Sequence, residues 1–244
     1  MTVAEAGAMR RFYGSVAVET LAEDFAVTLD GRPARLPRAA PLVLPTRSLA
    51  GAVAEEWRSQ AETIDPESMP LTRLAHEALN AAGAGRDTIV KAIMRFAQTD
   101  LLCYRASEPP ALVERQEAAW QPLLDWMSEA HGARLRVTRG VMPVEQPADA
   151  VLALQRTLEA LDTFALIATA SAARASGSLV IALGLVSGRI GTEDAFNLSQ
   201  LDENFQMERW GSDAEARVLR ERVGAEFRAA AAFLSHLGVA SPRP

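Results

Sequence analysis

Cysteine is almost missing from this chain: Cys103 stands alone among 244 residues. No intrachain disulfide can form, and a reducing compartment is the expected environment. Histidine is scarce as well. His76, His131 and His236 lie far apart, none at metal-ligand spacing from another, and no HExxH or CxxC occurs. Neither a metal nor any other cofactor is expected. No nearby histidine could activate Cys103, so a buried structural thiol is the expectation. The GxSxG, P-loop and GxGxxG signatures are absent. Gly83-Ala84-Gly85-Arg86 is only a loose likeness of a phosphate cradle, and a loop between two helices explains it. These gaps lower the case for an enzyme and give no catalytic residue to name.

Positive charge is in deficit. The net charge is −6 and the pI is about 5.2, which argues against a nucleic-acid partner. Lys91 is the only lysine. Arginine suits bidentate pairing with carboxylates, although codon bias suffices to explain the preference. The first residues carry no long apolar run and include Glu5, unlike a signal or transit peptide. A cytoplasmic protein is expected. Residues 164–186 are apolar, but Arg174 sits at their centre and Ser176-Gly177-Ser178 interrupts them. Two short buried helices joined by a turn fit better than a membrane span.

What is present reads as an α+β fold: a small β-rich N-terminal domain followed by a larger, mainly α-helical C-terminal domain. The β part covers residues 1–45, with a boundary that could extend to about 70, and the helical part covers 46–244. Val16 and Val18 alternate with smaller residues, as do Phe25, Val27 and Leu29. Asp30-Gly31 is a strong type I′ hairpin signal, with Arg35-Leu36 as the return strand. Leu42-Val43-Leu44 adds one more strand. From Thr46, a plausible N-cap, the period turns helical through Leu49, Val53 and Trp57. Residues 62–70 read as a loop. Helices follow from Leu71, from a cap at Asp87, and from Pro110, the last kinked or split by Pro122. Residues 101–104 form a strand or a helix end, and residues 135–137 a brief strand. Ser212 and Glu215 make a capping box for the last helix. Its inner face is Val218 or Leu219, then Val223, Phe227 and Leu234, and Gly238 ends it.

The most informative stretch is LDENFQMERWG, residues 201–211. Continued back to Phe196 as one helix at about 100° per residue, it places Phe196, Gln200, Glu203, Met207 and Trp210 on one stripe. Leu198, Leu201 and Phe205 fall on the opposite side. A helix with two apolar faces needs two surfaces to bury them, one in the core and one elsewhere. Other polar residues also sit among apolar neighbours. Trp57 reads as a core tryptophan, and Arg73 as an arginine paired with an internal carboxylate. Asp100 and Arg105 flank an apolar run and can satisfy backbone groups. For Glu203 the pattern modestly favours an internal salt bridge over a partner contact.

The segments RRFYGSVAVE, LDGRPARLP, PLVLPTRSLAGAVAEEWRSQ, IDPESMPLTRLAHEALN, TDLLCYRA, RQEAAWQPLLDWM, GSLVIALGL and SQLDENFQMERWG occur in that order. Together the set resembles the ATP synthase α-subunit assembly chaperones, the "ATP twelve" family of mitochondria and α-proteobacteria. The likeness spans nearly the whole chain, and TDLLCYRA with LDExxxxxxWG carries most of it. It implies an ATP-independent, non-enzymatic chaperone that transiently binds the unassembled α subunit of F-type ATP synthase until the β subunit replaces it. It also implies a β-rich N-terminal and a helical C-terminal domain, in the bacterial cytoplasm or, for eukaryotic relatives, the mitochondrial matrix. The family's functional acidic position falls on or beside Glu203, with Asp202, Glu208 and Trp210 as further candidates. That raises the partner-contact reading of Glu203, on a face shared with Met207 and Phe196. Asn204-Phe205 stands where an acidic residue followed by tryptophan or tyrosine is common in the family. The competing class is a small-molecule-binding protein or enzyme with a cleft between the β part and the helical body.

Overall fold

Strand β2 (Asp24–Leu29) is the centre of the N-terminal sheet. It pairs antiparallel with β1 (Val16–Leu21) along one edge, in the register Val16 to Leu29. Its other edge carries β3 (Arg32–Pro33) and β4 (Val43–Leu44). The structure, a computed structural model, describes residues 9–35, 40–81, 85–140, 142–211 and 214–238. The Asp30-Gly31 hairpin is present, with φ of 48° and 73° as a type I′ turn demands. The Asp30 carboxylate also accepts from the Gly14 and Ser15 amides. The return strand differs from the expectation. It is Arg32–Pro33, directly after the turn, because a two-residue hairpin pairs its nearest neighbours first. Arg35 lies past it, and Leu36 falls outside the described residues.

Helix α1 (Arg47–Arg58) covers β1 and β2. Thr46 caps it, its hydroxyl oxygen accepting from the Leu49 amide at 3.1 Å, and Leu49, Val53 and Trp57 are buried beneath it. A 3₁₀ turn at Pro66–Ser68 leads into α2 (Pro70–Ala81), which is followed by α3 (Gly85–Gln98). Asp87 is not the cap of α3 but a residue of its first turn, where a carboxylate still favours the helix dipole. Residues 101–103 form a 3₁₀ turn, followed at once by β5 (Tyr104–Arg105). Helix α4 (Pro110–His131) runs through Pro122 without splitting. The brief strand expected at 135–137 lies one step later, as β6 (Thr138–Arg139), because that is where the chain comes alongside β5 and pairs parallel to it.

The remaining helices are α5 (Ala148–Ala160), α6 (Thr163–Ser176), α7 (Leu179–Val186), α8 (Thr192–Ser199), α9 (Leu201–Trp210) and α10 (Ala214–Leu237). The apolar stretch 164–186 is two buried helices joined by a turn, α6 and α7. None of the described helices is long and apolar enough to cross a membrane. Helix α6 is the hub, packing on α2, α3, α7 and α10. Ala165, Ala168, Ala170, Ala172 and Ala173 keep it thin enough for four neighbours to approach. Sheet and helices share one apolar core, from Val27 and Leu44 to Trp57, Trp120 and Phe227.

The last helix departs from its expected inner face. Phe227 and Leu234 are buried and Val223 packs against the core, but Val218 and Leu219 are each 62% exposed. The first turns of α10 project beyond the body, so no core lies beneath them. The expected capping box cannot be followed, since Ser212 lies outside the described residues.

Candidate functional site

Helix α8 packs on α10, α9 packs on α4, and Arg220 of α10 reaches Asn204 of α9. Phe196 belongs to α8, a helix separate from the one that carries Glu203. The two break at Gln200, whose backbone (φ −108°, ψ 20°) is not helical. A single helical wheel across this break is therefore a poor guide, and Phe196 has a different role from the rest of its predicted stripe. Its ring meets Phe227 edge-on, 6.5 Å between centroids, with the Arg220 guanidinium 4.6 Å above it. Arg220 also donates to Asn204 Oδ1. Phe196 and Arg220 thus fasten α8 and α9 to α10.

On α9 the inner face is as expected. Leu201 and Phe205 are buried, and Leu198 of α8 packs beside them. The guanidinium groups of Arg115 and Arg209 lie 5.2 and 4.5 Å from the Phe205 centroid. The outer face is mixed. Asp202 Oδ1 accepts from Gln116 Nε2 at 2.7 Å, tying α9 to α4. Glu208 takes Arg115 Nη1 at 2.8 and 2.9 Å through its two oxygens, and this partner holds its carboxyl below the usual range. Met207 is half-buried. Trp210 is 75% exposed. Glu203 is exposed, and among the described residues its side chain has neither an ion pair nor a hydrogen bond, unlike the Asp202 and Glu208 carboxylates. The internal salt bridge that the pattern favours is not formed among the described residues. Gly211, at φ 77°, ends α9 and turns the chain toward α10, where Val218 and Leu219 add to the exposed apolar surface.

The other polar candidates have structural surroundings. Trp57 is fully buried, and its carbonyl accepts from the Tyr13 hydroxyl at 2.6 Å. Arg73 is half-exposed and pairs with Glu226 at 2.7 Å and Glu77 at 3.8 Å. Asp100 is fully buried between two helix starts. Its oxygens accept from the Leu102 amide (3.0 Å), the Ser178 hydroxyl (2.7 Å) and the Val180 amide (3.0 Å). Burial pushes its carboxyl up to about 6 against those bonds. The same burial, with the Asp100 charge beside it, pushes the Cys103 thiol up to about 12. Cys103 is a protonated core residue. Arg105 donates through Nε to the Leu102 carbonyl and through Nη1 to the Gln116 carbonyl, and its guanidinium lies 5.2 Å from the Trp120 ring centroid.

Two features went unread in the sequence. Glu56, on α1, caps α2 from a distance, accepting from the Leu71 and Thr72 amides at 2.7 Å each. Acid-rich EEW gave no hint that one of its carboxylates turns inward. The second is a cavity of about 1240 Å³ between α2, α3 and α6, into which His76 faces. It lies mainly among helices, not between the sheet and the helical body. Among the described residues no cluster of three His, Cys, Asp or Glu side chains is placed to hold a metal.

Trp210, Val218 and Leu219 thus leave large apolar side chains exposed on α9 and α10. Known proteins of this shape share its line of descent. A family model described as ATP12 chaperone protein matches residues 10–128. An aspartate-to-lysine variant of Atp12p from Paracoccus denitrificans has 41% identity and a TM-score of 0.86, covering 93% of this chain and 97% of its own. The Atu1473 protein of Agrobacterium tumefaciens gives 39% identity and a TM-score of 0.86 over 93% of this chain and 86% of its own. The mitochondrial protein atp12 of Schizosaccharomyces pombe is 23% identical over 222 residues, 86% of this chain and 76% of the relative. The chain belongs to the ATP12 chaperone family.

Proposed function

We propose that this chaperone serves ATP synthase assembly by holding the unassembled α subunit of the F-type catalytic head and yielding it to the β subunit. It does so in the bacterial cytoplasm and without ATP. The α8–α9–α10 end is the contact face. The observation that carries this reading is the set of large apolar side chains left in solvent on α9 and α10, Trp210, Val218 and Leu219, with the exposed Glu203 on the same helix as Trp210. A lone α subunit bares the apolar surface that β covers, and such obligate interfaces are large. An apolar patch shields that surface. A carboxylate on the contact face keeps the complex replaceable, because burying a charge opposes tight closure. Asp202, Glu208 and Phe196 hold the face in position through Gln116, Arg115 and Phe227, and the half-buried Met207 lies on the same helix. The test is co-expression with the α subunit alone. The wild-type chain keeps α soluble and co-purifies with it, and Glu203→Lys, folded by circular dichroism, does not. A folded Glu203→Lys that retains α at the wild-type level overturns the assignment of this face.

A further inference from the structure

The cavity between α2, α3 and α6 lies on other helices than the face just described. Ile167 and Ala170 of α6 form its floor. Ile89, Ile93 and Phe96 of α3 form one wall, and α2 the other. Its volume of about 1240 Å³ exceeds the range of about 300–1,000 Å³ usual for small-molecule pockets.

Several polar side chains in it have no side-chain partner among the described residues, His76, Arg95 and Glu67 among them. His76 of α2 is 5% exposed, and neither ring nitrogen is hydrogen-bonded. Burial lowers the affinity of this imidazole for a proton, so it is neutral. A neutral imidazole offers one donor and one acceptor. A carboxylate or phosphate ligand would use only the donor, whereas a peptide group, with its N–H and C=O, matches both. At the rim, Arg73 and Arg174 are paired with Glu226 and Glu77. Arg95 is exposed and has no acidic partner among the described residues. It is a free cation beside an apolar trough.

We propose that this groove is a second client site, which takes an apolar polypeptide segment whose backbone engages His76 and whose flanking acidic side chain meets Arg95. The proposal rests on the client-binding reading above and adds to it a second, separate contact. Two modest sites on one client give a hold stronger than either, yet one that a competing subunit can peel off stepwise.

The test uses the full chain and short labelled peptides that tile the α subunit. Fluorescence anisotropy reads their binding. Apolar peptides with an Asp or Glu flank bind the wild type. Ala92→Arg fills the groove from an exposed position on α3 and weakens them about tenfold or more. Arg95→Glu reverses the preference from acidic to basic flanks. Leu21→Ser, at an exposed position of β1 outside the groove lining, leaves peptide binding unchanged. Equal binding by wild type, Ala92→Arg and Arg95→Glu overturns the groove proposal. So does decanoate binding in place of any peptide, or loss of peptide binding through a dimer that buries the groove. If wild type and Ala92→Arg keep full-length α soluble equally well, the groove falls and the first reading stands. If wild type fails to keep α soluble, the first reading falls whatever the peptides do.

Discussion

Two regions of this molecule place polar side chains among apolar ones, and they treat them in opposite ways. At the junction of α4 and α7 with the 3₁₀ turn at 101–103, Asp100 is engaged by three donors and Arg105 by two carbonyls. The network then runs outward through Gln116, whose Oε1 accepts from the Ala106 amide and whose Nε2 reaches Asp202. On α9 the treatment changes. The Glu203 side chain has no bond among the described residues, and Trp210 stands in solvent. Residues of the first kind cost stability when removed, because their partners stay buried and unsatisfied. Residues of the second kind cost the fold nothing, so a demand outside the fold is the simplest reason for them.

The comparison breaks most visibly at Asp100. Asp100→Ala strands the Leu102 amide, the Val180 amide and the Ser178 hydroxyl at once. At about 1–3 kcal/mol per orphaned buried group, partly relieved by relaxation, the expected loss is about 3 kcal/mol. Urea unfolding measures it. Asp100→Asn keeps one acceptor oxygen but turns an amide toward a donor, and falls between wild type and Asp100→Ala. A loss under about 1 kcal/mol for Asp100→Ala would remove the junction from the structural class.

Glu56 is the next test, with a smaller effect because its site is only half-buried. It gives α2 the N-terminal cap that the local sequence, Met69-Pro70, lacks. Glu56→Ala costs about 1–2 kcal/mol, the upper range of a lost cap, since two amides and the Thr72 hydroxyl lose their acceptor together. Thermal unfolding followed by circular dichroism reads the difference.

These two carboxylates show why the sequence was readable in some places and not in others. Thr46, Asp30-Gly31 and the Leu49–Val53–Trp57 spacing act on neighbours a few residues away, so one sequence reveals both partners. Glu56 and Asp100 act on helix starts 15 and 80 residues on, and nothing local tells which acid of several turns inward. The failures on α8–α10 have a related cause. A helical wheel assumes one unbroken axis, and Gln200 breaks it. The Val218–Leu219 expectation assumed that apolar residues on a helix face a core, which fails where the helix runs past the body. Periodicity marks Glu203 as an acid on an apolar stripe. Its exposure was not visible, because pattern places a residue on a face without saying what covers that face.

Acidification sharpens the comparison inside the buried class. His76 is kept neutral by burial, so the unfolded chain takes up its proton more readily. Below the ordinary histidine pKa of about 6.5 the unfolded state binds more protons, and this contribution falls as pH falls. Asp100 and Glu56 work the other way. Burial raises both, so the folded carboxyls take up protons first and their contribution grows on acidification, for Asp100 from about 6 down toward 3.8. His76→Leu deletes the first effect and keeps the others. Its stability should therefore decline less than that of wild type between about pH 7.5 and about pH 5 in urea titrations. An equal decline would assign the acid sensitivity elsewhere, with His131, also held neutral by burial, the next group to change.

The smallest effect on the fold belongs to Glu203, and that is what gives its variant meaning. Glu203→Gln removes the charge and keeps the shape. Glu203→Lys reverses the charge in the first turn of α9, where the helix dipole resists a cation, so a slight loss is expected from the reversal and less from the neutral change. Trp210→Ser removes the largest exposed apolar side chain in the region without opening a cavity. All three should unfold at nearly the wild-type temperature. Retention of the α subunit should nonetheless drop in the order Gln, then Ser, then Lys, because a lost charge weakens a contact whereas a reversed one repels the complementary group. Stability and capture would then separate cleanly: Asp100→Ala loses capture only in proportion to the folded fraction, and Glu203→Lys loses it while fully folded. If Glu203→Lys instead lowers the unfolding temperature as much as Glu56→Ala does, Glu203 supports the fold, and the contrast between the two regions collapses.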